Sequence, residues 1–214
     1  MTVQVAIALF PRLTALDAIG PYEVLQRVPS LDVVFVGERR GEVRTENGFL
    51  GMTVDATFDE VPAPDVVVVP GGVGTRALLG GGPYLDWLRG VHAGTRFTTS
   101  VCSGALALAA AGLLDGLTAT THWSVLEHLG KLGAVPVTQR VVEHLPERVI
   151  TAAGVSSGID MAIRLVELLV DDVAAQAAQV FIEYDPQPPF DAGHPSRVGT
   201  AVMERVAEYA QFRS

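Results

Sequence analysis

One cysteine occurs in the 214 residues, and its setting suits chemistry. Cys102 stands in "TTSVCSGALALAAAGLL" (residues 98–114), where a β-favouring run gives way to Gly, Ala and Leu. A thiol at the carboxyl end of a strand and the start of a helix can act as a nucleophile. The helix terminus favours an anion there and should lower the thiol pKa. A free cysteine is also a small core hydrophobe, so burial is the competing reading. "SVCSG" follows the strand–turn–helix elbow that lifts a nucleophile out of a sheet. Gly104 matches the second glycine of that pattern, Ser100 replaces the first, and the small residues 103–105 permit the turn.

Other residues could serve such a thiol. Asp17, in "LTALDAIGP", lies among apolar neighbours after the first apolar run. It reads as a helix N-cap or as a site acid. His122, in "TTHW", is a candidate base for the thiol or a structural imidazole. "PGGVGTRA" (70–77) follows a strand and contains G-x-G-x-x-A. A dinucleotide fingerprint also needs an acid ending the next strand, and the acid in range, Asp86, falls in an expected helix. With no G-K-S/T there is no P-loop. The loop reads better as a tight turn whose free amides at Gly71 and Gly72 share the rim with Cys102 and could stabilise an anion. His122 and His128 lack a firm metal-ligand spacing, and His92, His144 and His194 fall in expected surface segments. No metal or cofactor is expected.

These residues need a scaffold, and the pattern supplies one. "VQVAIALF" (3–10), "LDVVFVGE" (31–38) and "DVVVVPGG" (65–72) are apolar runs expected as strands buried on both faces of a parallel sheet. "RFTTSVC" is the strand that delivers Cys102, and "SGALALAAAGLL" the helix that leaves it. Pro21 fits the first turn of a helix. The Asn-Gly pair at 47–48 suggests a hairpin or an excursion from the main sheet. "PYLDWLRGVHAG" (83–94) reads as a helix ended by Gly94. "TATTHW" reads as a short strand, and Ser124 as N-cap of the helix "SVLEHLGKLG". Two strands follow with a turn near Pro146, then one or two helices from 156. "PQPPF" breaks them, and a last helix runs through "VGTAVMERVAEYAQF". Strands alternating with helices imply one doubly wound α/β domain spanning 1–214, mostly parallel, with helices on both faces. Ligands in such folds sit beyond the carboxyl ends of strands.

Composition narrows the function. The net charge of −9 repels phosphate backbones, so no nucleic-acid partner is expected. A single thiol forms no internal disulfide and suits a reducing cytoplasm. "MTVQVAIALFPRL" lacks a basic n-region and a cleavage site, so no signal peptide is expected. No apolar run reaches the roughly 20 residues that span a bilayer, so no membrane partner is expected.

Several stretches together resemble the DJ-1/PfpI superfamily, of the class I glutamine-amidotransferase-like, flavodoxin-like fold: "LFPRLTALDAIGPYEVL", "DVVVVPGG", "TSVCSGALALAAAGLLDGLTATTHW" and "GVSSGIDMAIRLVE". Within it, "LDAIGP", "VCSG" and "YDPQPPFDAGHP" (184–195) are most similar to the isonitrile hydratase branch, whose patterns are "LDxxGP", V-C-T/S-G and "YxPxPPFxxGxP". PfpI-type peptidases carry His directly after the nucleophile, and glyoxalase-type members carry Ala there and Glu after the first strand. This chain has Ser103 and Asp17.

The resemblance implies a cysteine lyase acting on a small molecule. Cys102 thiolate would attack the terminal carbon of an isonitrile and Asp17 would supply the proton. Water activated by the same carboxylate would then release an N-substituted formamide. Ser103 would hydrogen-bond in the pocket. His122 and the amides at Gly71, Gly72 and Val155 would orient substrate or water. A homodimer is implied, with the apolar loop around Phe49 and Met52 needing cover. The alternatives are a glyoxalase or deglycase acting on reactive carbonyls, and a non-enzymatic redox-sensing or chaperone-like dimer.

Overall fold

The β-branched runs become strands. In the computed structural model, which describes residues 2–212, β1 (Val3–Ala8) is followed by α1 (Ala15–Leu25) and β2 (Leu31–Gly37). β3 (Gly41–Arg44) and β4 (Gly51–Val54) form an antiparallel hairpin around the Asn47–Gly48 turn, separate from the main sheet as the turn signal suggested. Then come β5 (Ala56–Thr57), β6 (Val66–Val69), α2 (Thr75–Leu78), α3 (Pro83–His92), β7 (Phe97–Val101) and α4 (Gly104–Ala110). The second half holds β8 (Thr118–Ala119), α5 (Leu126–Lys131), β9 (Val135–Pro136), β10 (Val141–His144), β11 (Val149–Ala152), α6 (Ser157–Leu169), α7 (Asp172–Phe181) and α8 (Thr200–Phe212). Met1, Arg213 and Ser214, the ends of the single-domain reading of 1–214, lie outside the described residues.

The main sheet has seven strands in the order β10-β11-β7-β6-β1-β2-β5. Every pairing is parallel except that of the edge strand β10 with β11. Helices cover both faces, so the central strands are apolar throughout: all four valines of β6 are buried. Strand order reverses between β6 and β1, and the loops after those strands and after β7 meet at one end of the sheet. That junction is where a doubly wound sheet leaves room for a ligand.

Several elements differ from the sequence reading. Pro21 lies inside α1 rather than in its first turn. The helix starts earlier because Thr14 N–H donates to Gly71 O, pinning its first turn to the loop after β6. The proline ring removes one helical bond, the one to the Asp17 carbonyl. "TATTHW" contributes only the two residues of β8, which pair with β9 in a small sheet of their own. Ser124 is not an N-cap. It lies in the 3₁₀ turn Trp123–Val125, which His122 caps by accepting the Ser124 N–H at Nδ1, 3.3 Å away. His92, His144 and His194 are each partly exposed, His194 within an otherwise largely exposed segment. Met52 is buried, so it is no part of an exposed apolar loop, whereas Phe49 is 86 % exposed.

Candidate active site

β7 ends in an elbow. Cys102 has φ of +56°, a left-handed conformation that strains a residue with a Cβ. The surroundings hold it there. Its N–H donates to Ala153 O at 2.7 Å, and its carbonyl accepts from Thr121 Oγ1 at 2.7 Å. Gly104 opens α4 against the β6 backbone, where an added Cβ would stand 2.2 Å from Val69 O. The second glycine of the elbow pattern therefore serves close approach. The thiol is 6 % exposed and receives the N–H groups of Val155 and Ser103 on its sulfur.

Asp17 is fully buried in the first turn of α1, and it caps nothing. The N-cap position belongs to Thr14. One Asp17 oxygen, Oδ2, accepts the Gly71 N–H at 2.8 Å. The other, Oδ1, meets no partner of ordinary hydrogen-bond geometry, and the carboxyl's further side-chain contact is with Cys102.

The amides of the loop after β6 are not free, which corrects the expectation for Gly71 and Gly72. Three successive N–H groups each hold a different side chain. Gly71 donates to Asp17, Gly72 to Ser103 Oγ at 2.8 Å, and Val73 to Glu46 Oε1 at 3.0 Å. The loop thus fixes side chains rather than presenting a hole for an anion. Ser103 is fixed further, because its hydroxyl is also within 3.2 Å of Gly72 O and of Thr75 Oγ1. Its side chain braces the loop, while its backbone N–H faces the sulfur. Asp86 lies in α3 and pairs with Arg89, which leaves the dinucleotide reading without its acid.

Burial governs the charges. It pushes the Asp17 carboxyl up to about 8, against the Gly71 N–H and with the Glu46 charge adding to the rise. It also pushes the Cys102 thiol above its ordinary value, helped by the Asp17 charge and opposed by the Val155 and Ser103 amides. The expected low-pKa thiol is therefore corrected: α4 is short, and desolvation outweighs its terminus. Both shifts run toward the neutral forms, a thiol beside a protonated carboxyl.

His122 is kept neutral by burial. Its Nδ1 is engaged by Ser124, 2.7 Å from Oγ and 3.3 Å from N–H, which leaves Nε2 as the ring nitrogen free of that contact. It lines a cleft of about 600 Å³ with Thr121, Trp123, Gly154, Val155 and, from the tail, His194. Thr121 bonds the Cys102 carbonyl and the Val155 N–H meets its sulfur, so the cleft borders the elbow. Among the described residues no set of His, Cys, Asp and Glu is placed to hold a metal ion.

A model of the DJ-1/PfpI family matches residues 3–168. The chain belongs to the DJ-1/PfpI family. It is 40 % identical over 210 residues to the isonitrile hydratase of Pseudomonas putida, covering 98 % of this chain and 91 % of that one. A ThiJ/PfpI family protein from Pseudomonas syringae superposes with a TM-score of 0.89 at 36 % identity, over all of this chain and 89 % of that one. Drosophila melanogaster DJ-1beta, at 23 % identity and TM-score 0.77 over 86 % of this chain and 98 % of that one, shares the fold.

Within this DJ-1/PfpI site the structure brings together Cys102, Asp17, Ser103, Gly71, Gly72 and Val155, with His122 on the cleft wall. Two participants escaped the sequence reading. Glu46 sits beside an Asn-Gly turn, where an acid is an ordinary surface residue. Thr121 is one of several adjacent threonines with nothing to single it out.

Proposed function

We propose that this chain hydrates isonitriles to N-substituted formamides at Cys102. The observation that carries the reading is the buried Cys102–Asp17 pair, the carboxyl in contact with the Cys102 side chain and pushed by burial toward its protonated form, in a chain related over nearly its full length to an isonitrile hydratase. An isonitrile carbon accepts a nucleophile and a proton at the same atom. Sulfur bonds the carbon as Asp17 Oδ1 delivers its proton there, and the thiol proton passes to the carboxylate left behind. The product is the thioimidate R–N=CH–S–Cys102. Water then adds to that carbon as Asp17 gives its proton to the nitrogen and takes one from the water. Collapse of the adduct R–NH–CH(OH)–S–Cys102 expels the sulfur, the hydroxyl proton passes to it, and R–NH–CHO leaves. The amides of Val155 and Ser103 stabilise negative charge on sulfur at each step. The substituent lies in the cleft beside Trp123 and His122.

Asp17 and Cys102 are the catalytic residues of this proposal. Ser103, Gly71 and Gly72 are positioning groups. No helix among the described residues is long and apolar enough to cross a membrane. We assign a small-molecule substrate and no nucleic-acid partner, in keeping with the net charge of −9, and place a homodimer in the cytoplasm. The test sets p-nitrophenyl isocyanide and methylglyoxal side by side with wild type and Cys102→Ala. Formamide release by wild type alone supports the reading. Turnover of methylglyoxal alone assigns the site to reactive carbonyls, and turnover of neither removes an enzymatic role for both substrates.

A further inference from the structure

The β3–β4 hairpin stands apart from the main sheet, yet its turn is stitched to the site. Arg12 N–H donates to Arg44 O at 2.7 Å, and Glu46 N–H to Leu13 O at 3.1 Å. Glu46 Oε1 then takes the Val73 N–H, the third of the successive loop amides. We infer that Glu46 is a positioning residue of the active site, holding the loop that carries Gly71 and Gly72 and setting a second carboxylate beside Asp17 and Cys102. The inference rests on the hydratase reading for its kinetic arm only.

Geometry and electrostatics agree. Loop residues 71–73 touch Asp17, Ser103 and Glu46 in turn, so the hairpin carboxylate and the catalytic carboxyl are anchored within three residues of one loop. The Glu46 charge raises Asp17, Cys102 and His122 alike. Other charged groups around Asp17 are engaged elsewhere. On α1, Glu23 pairs with Arg27. On α6, which packs across α1, Asp160 pairs with Arg140, and Arg164 with Glu143 and Glu167. On the hairpin, Arg44 pairs with Glu42. Arg12, in the loop before α1, has interactions of its own. Among the described groups, Cys102 and Glu46 are the titratable side chains that act on Asp17. A negative charge next to Asp17 favours its protonated form, which is the form that donates. The same charge disfavours free thiolate, so the thiol reacts together with the proton donor rather than ahead of it.

The experiment uses Glu46→Gln, which keeps an acceptor for Val73 N–H and removes the charge. Its first arm is the pH profile of isonitrile turnover. Activity needs protonated Asp17 and falls as pH rises through its pKa of about 8. Without the Glu46 charge that limb moves to lower pH by on the order of half a unit. The second arm is the rate of iodoacetamide labelling of Cys102 at fixed pH, which needs no substrate and rises in the variant. Glu46→Asp returns both readings toward wild type, and Glu42→Gln, a charge change on the same hairpin, moves neither. A loss that is equal at every pH with the limb in place, or labelling that does not change, overturns the inference and leaves Glu46 a brace for the loop. A wild type that hydrates no isonitrile refutes the hydratase reading instead, and the labelling arm still decides the role of Glu46.

Discussion

Replacing Asp17 by Asn should make the protein more stable and nearly inactive, and the gain should depend on pH. An unfolded chain ionises this carboxyl near 3.8, whereas the folded one holds its proton to about 8. For an acid raised on folding, the folded state is favoured below the unfolded pKa, and that advantage is lost as pH rises toward the folded value. Each unit is worth about 1.4 kcal/mol, so Asp17 alone tilts wild-type stability downward by at most about 3 kcal/mol across two pH units within that window. Asn has no proton to lose. Its Oδ1 can still accept from Gly71, and its amide NH₂ faces the sulfur. Urea unfolding at one pH near 5.5 and another near 7.5, inside the window between the two pKa values, should show the Asn variant gaining on wild type by about 1–3 kcal/mol at the higher pH. Turnover should fall by about 10²–10⁴-fold, the usual cost of losing a general acid. Iodoacetamide should still label Cys102, and above about pH 8, where wild-type Asp17 is charged, faster than in wild type because a like charge is gone. An unchanged stability difference at the two pH values would show that folded Asp17 is ionised and remove it as proton donor. Near-full turnover in the variant would do the same from the kinetic side.

Three further outcomes follow from the geometry. Ser103→Ala leaves the Gly72 N–H without its acceptor, so it should cost about 1–3 kcal/mol in urea unfolding and lower kcat more than it raises KM; unchanged stability would mean another group takes that bond. Gly104→Ala drives a Cβ onto Val69 O and should destabilise by about 1–3 kcal/mol or more, with a fall in melting temperature as the readout. Light scattering should report a dimer, since Val173, Val180 and Phe181 on α7 and Tyr209 on α8 are each more than half exposed. A mass near 22.6 kDa at micromolar concentration would refute that.

What could be read in advance was local. Buried strands such as VVVV at 66–69 announce themselves by composition, and the Asn47–Gly48 hairpin by its turn. The elbow was legible because small residues must follow a nucleophile at a strand end. The partners of the loop amides were not, because Gly71 meets Asp17 across 54 residues of sequence and Gly72 meets Ser103 across 31. Helix capping misled for a related reason. Asp17 has a good capping side chain, but a tertiary bond to Gly71 claimed it, and Ser124 gave way to an imidazole. The thiol's charge was misjudged because a helix terminus can be seen in sequence and the depth of burial cannot.

The tail after α7 has a consequence for how such an enzyme can diversify. Gly193, His194, Ser196 and Arg197 line the cleft, and Arg197 pairs with Asp191 of the same segment. The reacting atoms, by contrast, are locked together by segments around 17, 46, 71 and 102, where a change at one is felt by the rest. Substrate range and bond-making chemistry are thus written on different stretches of chain. A library randomised at His194, Ser196 and Arg197 samples new substituents while the proton inventory of the Cys102–Asp17 pair stays as it is.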